Sequence, residues 1–534
     1  MKPLPFKPAL TVAFALSVAL ALSAFGLSAI GLTQKAAPEQ VLKVAVADDV
    51  GKLNPHDYAS NFIALSMVYE PLVKYGEGGK LEPALAQSWK VSNDGLSISF
   101  KLQPKVSFHD GTPFDSKAAK WNLMRWVDNK DHNWLPVTTN IASILTPDAL
   151  TLVLKLKKYN YATLQEIALV RPVRFLSPKS VNAKGEFAKA IGTGPWKFEA
   201  ASEGQRLSLV PFEKYWGGKK QTLSKVIFEV IPDPQTRVTA LQSAQVDLIG
   251  GEYLSQVPIE SLPALRGDPN INLISAEGST SYLLQANFRR APWTDVRIRR
   301  AINLAIDRES ISKTIFYGLA KPSRGLFPPN VPYVDTLSSE TYNYNPESAK
   351  KLLNEAGWRP GANGMLERDG KPFAFTLLAD QNVFPQSRTL AELLQGQLKT
   401  IGIDLKLEVV DSDAFYPRLK KGDFDLATNI TWGSPYDPHS SLTSLFTSTA
   451  DDNSSRVYTD AKLNAMVAGV LGEKSDKIRQ TKYTAIWKYI NEISAAIPLV
   501  SSSRVYAVRK GVTGFELAST EYEIKFDGMR IESR

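Results

Sequence analysis

The chain has 534 residues, 43% of them apolar and 22% charged, with a formal net charge of +9. That length exceeds one small core, and the composition excludes an intrinsically disordered chain. Lys2, Lys7 and Lys35 supply part of the charge at the N-terminus, and no Lys/Arg block of the kind that tracks phosphates follows, which argues against nucleic acid and leaves anionic small ligands as partners.

Lys2 and Lys7 precede an uncharged run, residues 9–32, rich in Ala, Leu and Ser. This is the pattern of a signal peptide, assigned to residues 1–36. Its ~24 apolar residues would also span a bilayer, so an uncleaved N-terminal anchor is the alternative. No later stretch is apolar enough to span. Cysteine is absent, which excludes disulfides, thiolate metal sites, a cysteine nucleophile and a lipidated-cysteine tether. A periplasmic location is the expectation.

VLKVAVAD (from Val41) alternates as a strand, and SNDGLSISFKL sets an Asp94-Gly95 turn before another, a hairpin signal. ALTLVLKLK (149–157) reads as a strand, followed by a helical stretch through ATLQEIALV. KVIFEVIPDPQTRVTALQSAQVDLIGG reads strand, turn, helix (about 235–244), strand. SYLLQANF, from Ser281, is the next strand. TDVRIRRAINLAID then places Ile298, Ala301, Ile302 and Ala305 on one helical face. NPESAKKLLNEAGW has Asn345 as N-cap, Pro346 at the first helical position and Gly357 past the end. PFAFTLLAD, a helix over about 387–400, IDLKLEVV and FDLATNI continue the alternation. Such alternation implies an α/β architecture with helix-covered sheets.

Catalytic vocabulary is thin. The four histidines, His56, His109, His132 and His439, form no H-E-x-x-H or other dense ligand pattern, and there is no G-x-S-x-G elbow, P-loop or Rossmann glycine set. Arg266-Gly267-Asp268 reads as a turn. A carboxylate-dependent hydrolase survives on residue types alone. The stretch TWGSPYDPHSS (431–441) gathers Trp432, Tyr436, Asp437 and His439 among turn residues after a strand. It is a recognition loop or a packed corner.

Residues 69–115, YEPLVKYGEGGKLEPALAQSWKVSNDGLSISFKLQPKVSFHDGTPFD, resemble the extracytoplasmic solute-binding proteins of peptide and nickel ABC importers. GTGPWKF (192–198), FEKYWGG (212–218) and VIPDPQTRVTALQSAQVDLI follow in the family's order. LNPHDY, SMVYEPLVKY, EIALVRPVRF and TWGSPYDPH are closest to the nickel-binding branch. The resemblance implies a two-lobed periplasmic-binding-protein fold of class II type closing by a hinge. Lobe I would be 37–278, with an extra subdomain at about 76–180; lobe II would be 279–498, and 499–534 would return to lobe I. It implies no catalysis and no intrinsic cofactor. The cargo would be nickel or another divalent metal held by a small chelator, handed by a monomer to an inner-membrane permease.

Residue by residue, the resemblance places Trp432 and Tyr436 in the interlobe cleft and Arg171 on the chelator's carboxylates. Guanidinium forks suit that task. Trp134 offers a flat face, Tyr416 a wall with a hydroxyl, and His56 is a further ligand-binding candidate beside a plain structural reading. The nickel branch carries a histidine about eleven residues beyond the DPH histidine. That place falls here near Ala450, with no histidine nearby, and Asp451 and Asp452 are harder donors than nickel prefers. The alternative cargo is a dipeptide or oligopeptide, its amino terminus paired with Asp437.

Overall fold

The computed structural model describes residues 39–127, 129–133, 135–218, 220–334, 342–381, 386–436, 438–446 and 460–532. Residues 1–38, Trp134, Asp437 and the stretch holding Ala450, Asp451 and Asp452 lie outside the described residues.

The organising element is a mixed sheet, eleven-stranded among the described residues. Its main strands are β1 (Val41–Val46), β2 (Trp196–Ser202), β3 (Arg206–Pro211), β4 (Lys225–Val230), β5 (Leu248–Gly250), β6 (Ile271–Ala286), β7 (Ala374–Asp380), β8 (Asp404–Val410), β9 (Leu426–Ile430) and β10 (Ile497–Arg509). They run in the order β8-β7-β9-β6-β10-β5-β1-β4-β3-β2, with Lys321–Pro322 pairing on β10. β1 lies parallel to β4 and β5, and β7 parallel to β8 and β9. The long antiparallel pair β6–β10 joins these two groups.

That pair is irregular in the middle. Glu277 sits opposite Ser503, and the ladder resumes only at Ser281 opposite Ser501. A Cβ on Gly278 would come within 2.2 Å of Ser502 Oγ, so the backbones approach there as only glycine allows. The sequence places a strand only from Ser281, because the half of β6 before it, INLISAEGST, is polar and half exposed and takes its order from β10.

A separate four-stranded antiparallel sheet is formed by Ala86–Val91, Ser97–Leu102, Thr151–Leu156 and Ile141–Asp148. The Asp94-Gly95 turn closes its first hairpin, with Gly95 at φ +76°. Elsewhere the periodicities translate directly. Ile298, Ala301, Ile302 and Ala305 are buried, and Asn345 caps its helix by accepting from the Ser348 N–H at 2.9 Å. The ATLQEIALV helix stops at Ile167, short of Arg171-Pro172.

Two large apolar cores result. One, around Phe100, Trp126, Phe175, Trp196 and Phe228, draws residues 42–254 together with 506–531, the late return of the chain, and admits Tyr436. The other centres on Trp293, Phe373 and Phe375. A third gathers Phe327, Leu442, Tyr483 and Trp487. Each fully buried aromatic contributes ~1.5–3 kcal/mol of apolar burial, which makes the sheet a rigid platform for what stands at its strand ends.

Candidate ligand-binding site

A cavity of about 730 Å³ opens where β1, β4, β5 and β7 end, bordered by Asp48, Pro232, Glu252 and Gln381 from those four strand ends. In open α/β sheets ligands collect at the carboxyl ends of strands, and this volume suits a small organic ligand.

Arg171 stands in its wall. Nη1 donates to the Tyr58 and Ser60 carbonyls, each at 2.5 Å. The guanidinium lies 3.8 Å from the centroid of the Phe62 ring. Phe62 opens helix α1 (Phe62–Val68), whose N-cap Asn61 accepts from the N–H groups of Ile63 and Ala64. Asn61 Nδ2 also donates to the Tyr253 carbonyl at 2.5 Å, tying the helix start to the segment after β5. Arg171 has no carboxylate partner among the described residues, and its Nε and Nη2, the side-on fork of a guanidinium, carry no protein acceptor. Burial lowers its pKa, Tyr436, Tyr253 and the Asp57 carboxylate counter this, and a guanidinium stays a cation. The structure therefore presents a held guanidinium with its fork open.

Beside it stands a ring cluster. Tyr253 stacks on Tyr522 at 4.5 Å, and Phe62 meets both edge-on at 4.8 and 4.7 Å. Tyr436 packs against Tyr522 at 5.3 Å and is buried, which raises its phenol well above the usual value.

The TWGSPY turn is pinned at each step. Ser281 N–H donates to Thr431 Oγ1 at 2.9 Å, and Trp432 N–H to Ser441 Oγ at 3.0 Å. The Tyr522 hydroxyl donates to the Trp432 carbonyl, and Ser434 N–H donates to Ser279 Oγ at 2.8 Å. Gly433 has φ +79°, and a Cβ there would meet Glu521 Oε2 and Thr280 Oγ1 at 2.9 Å. The turn holds Trp432 with its side chain 38% exposed, a large indole kept out of the core. Trp432, Tyr436, Tyr416 and His56 do not line the 730 Å³ cavity itself; among the described candidates only Arg171 does.

Tyr416 lies on helix α2 (Ser412–Lys421) and is 55% exposed, with the Asp380 carboxylate at the end of β7 raising its pKa behind the effect of burial. His56 is engaged on both ring nitrogens. Its Nε2 bonds the Arg174 carbonyl at 2.9 Å and its Nδ1 accepts from Arg125 Nε at 3.2 Å. Both nitrogens are consumed inside the protein, and burial lowers its pKa to about 3. It props the segment that carries Arg171 and has no nitrogen left for a ligand.

His439 opens helix α3 (His439–Phe446) and is likewise buried. Its Nε2 is 3.7 Å from Oε1 of Glu166, a buried carboxyl whose Oε2 accepts from the Val137 N–H at 2.6 Å. Burial raises Glu166 to about 8 and lowers His439 to about 4, so the pair is neutral on both sides near pH 7. Glu166 and Glu252 escaped the sequence reading. The only hint of the second was the Gly250-Gly251 pair before it. No group of three or more His, Asp or Glu that could hold a metal ion exists among the described residues.

Residues 80–453 match the model of bacterial extracellular solute-binding proteins, family 5 (middle), and the chain belongs to that family. It is 32% identical over 508 residues to the nickel-binding periplasmic protein of Escherichia coli K12, covering 93% of this chain and 96% of that one. It is 26% identical over 508 residues to the glutathione-binding protein GsiB of Salmonella paratyphi A, covering 92% and 95%. Its fold superposes on the crystal structure of NikA from Brucella suis in complex with Fe(III)-EDTA with a TM-score of 0.86 at 33% identity, covering 92% and 99%. The fold is thus the two-lobed α/β fold of periplasmic binding proteins. No helix among the described residues is long and apolar enough to cross a membrane.

Proposed function

We propose that this protein is the periplasmic solute-binding component of an ABC importer, capturing nickel or a related divalent metal as a chelate and delivering it to an inner-membrane permease. The observation that carries the reading is the open Nε/Nη2 fork of Arg171 in the cavity wall, fixed by two carbonyls and the Phe62 face. A fork held this way meets a carboxylate at little further entropic cost. Charge-assisted bonds contribute ~1.5–3 kcal/mol each, and a micromolar complex needs about 8 kcal/mol in all, which the fork and aromatic burial supply together. The metal arrives as cargo inside its chelator, a metal–histidine or metallophore complex, and no intrinsic cofactor or turnover is required.

Trp432, and with it Tyr436, Tyr416 and Trp134, is assigned to the cleft walls, with His56 as a support. The irregularity between Glu277 and Ser281, opposite Ser501–Ser503, supports a hinge near the expected lobe boundaries at 279 and 499. Lobes closing there would turn ligand contacts into a shape the permease reads. Export by residues 1–36 and a monomeric state complete the reading.

The glutathione-binding relative favours a second reading, in which the cargo is a free peptide. A titration of the mature protein separates the two, following Trp fluorescence and bound metal with Ni²⁺ alone, Ni²⁺ with excess L-histidine, and metal-free dipeptides. Saturable binding only when metal and chelator are both present is the expected result. Tight dipeptide binding indifferent to metal would move the protein to the peptide branch.

A further inference from the structure

The same cavity holds a second ionisable group without a partner among the described residues. Glu252 follows β5 directly, after Gly250 at φ +105° and Gly251 at φ +82°. A Cβ on Gly250 would lie 2.3 Å from the Val505 carbonyl, and one on Gly251 2.4 Å from the Tyr506 ring. The two glycines let the chain turn flat against β10, and that turn brings Glu252 into the cavity wall, where it also borders a smaller pocket with Gln256, Tyr282 and Val505. There it makes no hydrogen bond and no ion pair with any described residue.

A partly buried carboxylate left without a donor is costly unless something outside the protein completes it. Its nearest charged neighbour makes matters worse. Glu521 is buried, with Oε1 accepting from the Ser279 N–H at 2.5 Å and Oε2 from Thr280 Oγ1 at 3.1 Å, so that carboxylate is fully provided for and only repels Glu252. The other groups that feel Glu252 are the hydroxyls of Tyr253, Tyr282 and Tyr506, all with pKa values raised by burial and all neutral. Among the described residues no cation pairs with it, although Arg171 and Arg237 line the same cavity. Arg171, in the same cavity wall, is likewise unpaired, beside the Phe62–Tyr253–Tyr522 rings.

We infer that Glu252 is the acceptor for an amine of the cargo, an ammonium or the N–H groups of a metal-bound amine, while Arg171 takes its carboxylate. The cargo is then an amino-acid-type chelator bearing both groups, which a plain polycarboxylate is not. This rests on the reading of the cavity as the chelate site. Burial and Glu521 raise the Glu252 carboxyl to about 8, so the empty cavity stores a proton that a positive group displaces.

The test is the mature protein and its Glu252→Gln and Arg171→Ala variants, titrated calorimetrically at pH 7.5 with Ni²⁺–L-histidine, Ni²⁺–citrate, a dialanine peptide and N-acetyl-dialanine. The expected result is that Glu252→Gln weakens the amine-bearing probes at least ~10-fold, as loss of a charge-assisted bond implies, and leaves citrate unchanged or tighter. Equal loss on amine-bearing and amine-free probes, no loss on either, or a wild type that does not prefer amine-bearing probes overturns the inference. Arg171→Ala reads the underlying assignment separately. If it spares every carboxylate while Glu252→Gln still discriminates against amines, the chelate-clamp reading fails and the amine site stands.

Discussion

Two pairs of titratable residues occupy this molecule in opposite ways. At the cavity, Arg171 and Glu252 each lack an ion partner among the described residues, although backbone carbonyls and the Phe62 ring fix Arg171. At the buried contact between Glu166 and His439, acid and base face each other at 3.7 Å, both neutral and sealed from solvent. The residue types do not distinguish these places. What distinguishes them is whether the fold supplies a partner, and a fold that immobilises a charge and leaves its partner out is arranged for a ligand.

The sharpest way to break the comparison is at Arg171. Arg171→Ala is expected to lower affinity for a Ni²⁺–carboxylate chelate by about 100-fold, as for two lost charge-assisted bonds, with thermal stability nearly unchanged. Arg171→Lys keeps the charge and loses the fork and the flat contact on Phe62, so it recovers only a small part. Isothermal calorimetry beside a melting curve reads both. A large fall in Tm with Arg171→Ala would make this arginine a structural residue.

Next in size is Gly433→Ala. It forces φ +79° on a Cβ that also meets Glu521 and Thr280 at 2.9 Å. A loss of about 1–3 kcal/mol is expected, because the alanine is strained and the turn cannot shift without breaking Ser434 from Ser279. Chemical denaturation measures it, and an unchanged midpoint would show that the turn is not pinned.

The Glu166–His439 contact is probed through pH. Glu166 is raised to about 8 from a usual 4.5, so between those values the folded protein keeps a proton that the unfolded chain has lost, and stability falls as pH rises. His439, lowered to about 4 from 6.5, contributes the opposite slope, a gain as pH rises through that window. Above pH 6.5 only the carboxyl slope remains of this pair. Glu166→Gln should therefore gain on the wild type by up to ~1.4 kcal/mol per pH unit between pH 6.5 and 7.5. Parallel stability curves for the two proteins over that range would show that Glu166 is ionised in the fold.

Much of this architecture was open to the sequence. VLKVAVA, FDLATNI and the Asn345-Pro346 helix start carry their structure in local period and capping, and the α/β class follows. Arg171 and Trp432 came from residue type and resemblance. What stayed closed was partnership. Arg171 is held by carbonyls 113 and 111 residues away, and His56 by groups 118 and 69 residues away. No spacing rule reaches across such distances, which is why the sequence left His56 between ligand candidate and structural residue. Glu252 was missed for the complementary reason. Nothing local in the sequence sets it apart from the other acidic residues; what does is burial without a partner among the described residues.

The smallest expected effect tests how far the cleft extends from Arg171. Tyr416 is exposed, makes no side-chain hydrogen bond among the described residues, and stands on α2 within electrostatic reach of Asp380. Removing an exposed hydroxyl without a partner costs the fold less than about 0.5 kcal/mol. Tyr416→Phe should accordingly leave the melting curve in place. A ligand contact through that hydroxyl would lower affinity by a factor of about 2–10, the value of one neutral hydrogen bond. A contact through the ring alone would leave affinity intact with Phe and weaken it only with Tyr416→Ala. Calorimetry on the Phe and Ala variants with the same Ni²⁺ chelate tells these apart. Full affinity with Ala would end the cleft short of α2 and leave recognition to the Arg171 side.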